Sequence, residues 1–131
     1  MGTCTLIQAA LPRILNDVPE EFFDKTKKHL EETSSVMFER LSAIPCLKPI
    51  KPVGAMYMLV GIDMEKLEGM KDDHDFTRQL MAEESVFLLP ASVFLYPNFF
   101  RVVLLAPVEL MVEATERISV FCQRHMRKES S

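Results

Sequence analysis

Glycine is scarce in this chain, with four in 131 residues. That leaves no glycine-rich loop to cradle a phosphate on its backbone amides, and no GxSxG, HExxH or Walker pattern occurs. Cysteine is scarce as well. Cys4, Cys46 and Cys122 are odd in number and lack CxxC spacing, which argues against a disulfide framework or a zinc site and suits reduced thiols in the cytoplasm. His29, His74 and His125 lie far apart, none at ligand spacing to a cysteine or another histidine, so solvated helix faces account for them and no metal site is expected. Neither sign of charge forms a long block. The balance of 15 Lys and Arg against 19 Asp and Glu gives −4, which makes nucleic acid a poor partner. No apolar run reaches transmembrane length and the N-terminus lacks the parts of a secretory signal. The chain therefore reads as soluble and intracellular, with no membrane partner.

What is present describes one domain with a real core. Residues 3 to 11 carry a short helical pattern that Pro12 interrupts, like the tail of something larger. Asp17-Val18-Pro19-Glu20 supplies a capping residue, an early proline and a glutamate three positions on, predicting a long helix that ends at Pro45. Its apolar positions, Phe22, Phe23, Thr26, Leu30, Thr33, Met37, Leu41 and Ile44, advance by threes and fours. Pro45, Pro49 and Pro52 make Cys46 to Val53 a stiff approach to a strand over Ala55 to Ile62. Asp72 or Asp73 caps a helix burying Phe76, Leu80 and Met81. A short strand over Val86 to Leu89 ends at Pro90, a third strand covers Phe99 to Leu105, and a final helix follows Pro107. Lys128 to Ser131 is expected to be a frayed tail. This order describes a small two-layer α/β domain with helices on a sheet.

Few residues invite chemistry. The adjacent carboxylate pairs Glu20-Glu21, Glu31-Glu32, Asp72-Asp73 and Glu83-Glu84 read as solvated faces or helix starts. The nine methionines read as a plastic core. A Schiff-base lysine needs an apolar or cationic pocket, and every lysine here falls on a polar face, in a loop or in the tail. Arg101 stands apart, beside Phe99-Phe100 and before Val102-Val103-Leu104-Leu105. A guanidinium in so apolar a strand needs an anionic partner, and its planar fork suits a carboxylate or phosphate. On residue types alone, a strand-edge arginine paired with a nearby glutamate or reaching solvent is the favoured account, because structural ion pairs are far commoner than ligand sites.

Five strings occur in a telling order: Thr3-Cys4-Thr5-Leu6-Ile7-Gln8-Ala9-Ala10-Leu11, Ala43-Ile44-Pro45, Gly54-Ala55-Met56-Tyr57, Leu89-Pro90-Ala91 with Phe94, and Tyr96-Pro97-Asn98-Phe99 with Arg101-Val102-Val103. On these the chain resembles the C-terminal part of the tyrosine aminotransferase family, class I, fold-type-I enzymes that depend on pyridoxal 5'-phosphate. The likeness runs from Thr3 to about His125.

The resemblance implies an α+β-like small domain over residues 16–127, with helices packed on one face of a short, mostly antiparallel sheet. Residues 1–15 would be a remnant helix of a large domain, and residues 128–131 a tail. It implies a homodimer acting on amino-acid and 2-oxo-acid substrates, moving the amino group of an aromatic L-amino acid. Arg101 would grip the substrate α-carboxylate, and Met56 would lie near the substrate, with packing in the strand as its other reading. The family's cofactor-bearing lysine, pyridine-pairing aspartate and phosphate-binding residues lie upstream of this segment. No catalytic or cofactor-binding residue is therefore expected here, no specific binding of pyridoxal phosphate to this chain alone, and no activity from it alone. A non-enzymatic α/β binding or interaction module is the alternative. Apolar surface bared by a missing domain would favour self-association.

Overall fold

The computed structural model describes residues 2–127, so the expected tail at 128–131 lies outside the described residues. Four helices, α1 (Thr5–Asp17), α2 (Glu20–Ser42), α3 (Asp73–Glu84) and α4 (Val108–His125), accompany four strands, β1 (Leu47–Pro49), β2 (Tyr57–Ile62), β3 (Leu89–Pro90) and β4 (Phe99–Val103). The sheet runs in the order β1-β2-β4-β3 with every neighbouring pair antiparallel. Strand alternation sorts its side chains. Met58, Val60 and Ile62 of β2 and Phe100 and Val102 of β4 are buried toward the helices. Tyr57, Leu59, Phe99, Arg101 and Val103 alternate onto the other face, where Tyr57 and Val103 are exposed.

The core joins both layers. Phe76 of α3 stacks on Phe100 of β4, with ring centroids 5.6 Å apart, and meets Phe121 of α4 edge-on at 5.4 Å. Offset and T-shaped pairs of this kind add about 0.5–1.5 kcal/mol beyond burial. Thr33, Met37 and Leu41 carry the α2 stripe into that core, whereas Phe22 and Phe23 stay exposed. Along α1 no residue is buried.

Several local expectations change. The segment after Pro45 holds a strand, since Leu47–Pro49 pairs with β2 from Leu47↔Ile62 to Pro49↔Val60. Proline is tolerated there because β1 is an edge. The same reason admits Pro90 into β3 instead of ending it, while Val86 to Leu88 stays unpaired. Pro12 lies inside α1, which continues to Asp17, and Pro19 occupies the N-cap of α2 where Asp17 was the expected cap. Met81 is half exposed. Two histidines have partners: a His29 ring nitrogen lies 3.1 Å from the Ala106 carbonyl, and His125 Nε2 lies 3.1 Å from both Glu83 oxygens.

Candidate carboxylate-binding site

Arg101 sits mid-strand in β4, opposite Leu59 on one side and Leu89 on the other. Strand alternation turns its side chain onto the face of the sheet opposite Phe100 and Val102. Tyr57, two residues before Leu59, shares that face. Its ring centroid lies 5.1 Å from the Arg101 Cζ, and the Phe94 ring, carried by the 3-10 turn Ala91–Phe94, lies 5.0 Å from the same atom. Each ring presents π-density to the guanidinium, an attraction of about 0.5–2 kcal/mol depending on desolvation.

The guanidinium itself has no anionic partner among the described residues. Among the described residues, Arg13, Arg40, Arg78, Arg117 and Arg124 each reach a carboxylate and Arg127 donates to the Leu67 carbonyl. Arg101 does neither, and its Nε is buried without an acceptor. Leaving such a donor unsatisfied costs about 1–3 kcal/mol. No glutamate among the described residues pairs with Arg101. Beside it opens a cavity of about 730 Å³ with mainly apolar walls, including Phe87, Leu89, Val103 and Leu110. The other cation in that wall, Arg117, is paired with Glu113 at 2.6 Å. A half-buried, aromatic-flanked, unpaired guanidinium is chemically a receptor for a planar oxyanion.

Met56 lies one residue before β2, half exposed, and its carbonyl accepts from the Leu104 N–H at 2.9 Å. The strand expected from Ala55 begins at Tyr57, because Ala55 takes a left-handed φ of 65°.

The loop carrying Phe94 is held by a buried carboxylate. Asp73 accepts from the Ser92 N–H at 2.8 Å and the Asn98 N–H at 3.4 Å. Burial pushes this carboxyl upward, yet the bonds from Ser92, with help from Asn98, bring it below the ordinary aspartate range. Reading the sequence did not identify Tyr57, Phe94 or Asp73 as parts of this site. For Tyr57 the signal was present, since alternation on a strand paired with β4 puts it on the Arg101 face.

The family described as "Aminotransferase class I and II" matches residues 1–118. The chain belongs to the class I and II aminotransferases. It is 47% identical over 125 residues to tyrosine aminotransferase from Mus musculus and 48% identical over 125 residues to that from Bos taurus. Each alignment covers 95% of this chain and 28% of the relative, so the chain spans less than a third of the curated relatives it matches. A solved tyrosine aminotransferase from Leishmania infantum superposes with a TM-score of 0.84 at 28% identity, over 92% of this chain and 30% of that one. An alanine aminotransferase from Pyrococcus furiosus gives 0.76 at 27% identity, over 83% and 28%. The α/β architecture is that of fold-type-I aminotransferases, and the chain is similar to the part of tyrosine aminotransferase that these alignments cover.

The family uses pyridoxal phosphate, and the residues described here do not fit that group. An imine-forming lysine must be desolvated or placed beside another cation. Every described lysine is exposed, and none lines the cavity at Arg101.

Proposed function

We propose that this chain supplies the carboxylate-binding half of an aminotransferase site. The carrying observation is Arg101: a guanidinium flanked by Tyr57 and Phe94, with a buried Nε and no carboxylate among the described residues. Its fork takes the α-carboxylate of an amino acid or 2-oxo acid and fixes the orientation of the substrate α-carbon, which is binding and positioning. Met56 sits near the substrate in this reading. The reaction served is pyridoxal-phosphate-dependent transfer of the amino group of an aromatic L-amino acid to a 2-oxo acid, within a cytoplasmic homodimer. Lysine, pyridine partner and phosphate cradle come from the rest of the protein, so the 131-residue chain alone is inactive. Residues 16–127 form the small domain, and residues 1–15, none of them buried among those described, belong to a helix that docks on the large domain.

The test is calorimetric titration of the chain with phenylpyruvate. Saturable binding that Arg101→Ala weakens by about tenfold or more supports the reading. Equal binding by both proteins, or none by either, sinks it. Borohydride treatment with added pyridoxal phosphate checks the cofactor statement, since a single trapped lysine adduct with activity toward tyrosine would overturn it.

A further inference from the structure

Asp73 is free to do something other than cap its helix. The N-cap of α3 is Asp72, whose Oδ1 accepts from the Asp75 N–H at 2.9 Å. Asp73, the first helical residue, is only 1% exposed and has no cation within salt-bridge distance among the described residues. Both its oxygens go to the loop between β3 and β4: Oδ2 to the Ser92 N–H and Oδ1 to the Asn98 N–H. Those amides flank the segment that swings Phe94 over the guanidinium. The loop closes on itself through Leu95 N–H to Ser92 O (2.9 Å) and Tyr96 N–H to Ala91 O (3.1 Å), and Asn98 O accepts from Ile62 N–H at 2.8 Å. It turns at two left-handed residues, Leu95 at φ 62° and Asn98 at φ 63°. Left-handed backbone at a residue with a side chain costs about 1–3 kcal/mol and persists only where its surroundings over-determine it.

We propose that Asp73 is a positioning residue for Arg101, clamping loop 91–98 at Ser92 and Asn98 so that Phe94 stays stacked on the guanidinium; the consequence for substrate affinity rests on the carboxylate-binding reading above. An acceptor-only carboxylate suits two N–H donors, whereas an amide in its place turns an NH₂ toward one of them. Releasing either end frees the loop to relax and removes one of the two rings that limit the guanidinium's rotation.

The experiment uses the ¹⁵N-labelled chain, with Asp73→Asn, Phe94→Leu and the double variant. Folding is checked by circular dichroism and cooperative urea unfolding. The Arg101 Nε–Hε resonance, assigned by its loss in Arg101→Ala, reads the guanidinium's surroundings without ligand. Asp73→Asn is expected to move that resonance in the direction that Phe94→Leu moves it, and to weaken phenylpyruvate three- to tenfold. In the Phe94→Leu background it should add less than a factor of about two, because its effect runs through that ring. An unmoved resonance in Asp73→Asn, or fully additive losses, overturns the proposal. Should Asp73→Asn fail to fold, Asp73→Ser, which retains one acceptor and suits a first helical turn, gives the same comparison. If Arg101→Ala leaves phenylpyruvate binding unchanged, the carboxylate reading falls, while the ligand-free resonance still decides Asp73.

Discussion

Gly61 lies across the sheet from Phe99, and its missing side chain is what lets the Phe99 ring rest so close to β2. A Cβ on residue 61 would come within 3.1 Å of the ring's Cε1 and 3.4 Å of the Lys48 carbonyl oxygen. The ring in turn packs on Tyr96 at a centroid distance of 4.6 Å, so a backbone position in β2 sets where the aromatic loop rests. Replacement by alanine asks the ring edge to yield a few tenths of an ångström, while valine asks for far more. Gly61→Val is expected to destabilise the chain by about 1–3 kcal/mol, read as a lower urea midpoint with an unchanged slope.

The second ring at the guanidinium should matter for binding more than for folding. Tyr57→Leu keeps an apolar residue on the Arg101 face and removes the π-density 5.1 Å from the Arg101 Cζ. Phenylpyruvate affinity should fall about two- to fivefold, the equivalent of about 0.5–1 kcal/mol. Arg101→Lys should lose more, because an ammonium supplies no planar fork. Titration calorimetry on both variants checks the order.

Acid should loosen the junction of α3 and α4. Glu83 accepts from His125 and from Arg124, in that order of effect, and its carboxyl lies below the usual glutamate range. A depressed folded value means stability that is fully present above the ordinary value of about 4.3 and is lost as pH falls through the lowered one. Asp73 adds a loss of the same sign, from about 3.9 downward. Glu83→Gln should reduce stability at neutral pH and flatten the acid limb of a stability–pH curve. An acid limb of unchanged steepness would exclude Glu83 as a contributor.

A single loop residue offers a gain. Leu95 is 93% exposed and adopts φ 62°, a conformation that asparagine tolerates better than leucine. Leu95→Asn should raise stability by up to about 1 kcal/mol and lessen self-association, since Phe87, Val93 and Phe94 are also exposed. Sedimentation equilibrium and thermal unfolding measure the two effects together.

Legibility followed the strength of the local pattern. Arg101 and β4 were readable because a charge within an apolar run is unusual, and α4 because Pro107 marks a helix start. Strand β1 was hidden by the prolines around it, since nothing local distinguishes a stiff approach from an edge strand that contains Pro49. In β3 only two residues pair, fewer than any alternation can reveal. Asp73 was invisible for a different reason. Beside Asp72 it looks like a second capping candidate, and only the fold brings Ser92 and Asn98 to its oxygens. The guanidinium's surroundings were likewise non-local, for Tyr57 and Phe94 meet through β2 pairing and a left-handed loop.

The absence of any buried residue in α1 has a kinetic consequence. Thirteen residues are close to the shortest length at which a helix persists in water without tertiary support. Its amide protons should therefore trade with deuterium through local fraying, on the timescale of a peptide. The amides joining β2 to β4 must wait for the whole domain to open. A single exchange experiment would then divide this chain into a cooperative unit and an appendage, with the border falling somewhere along the first turns of α2, where Phe22 and Phe23 still face solvent.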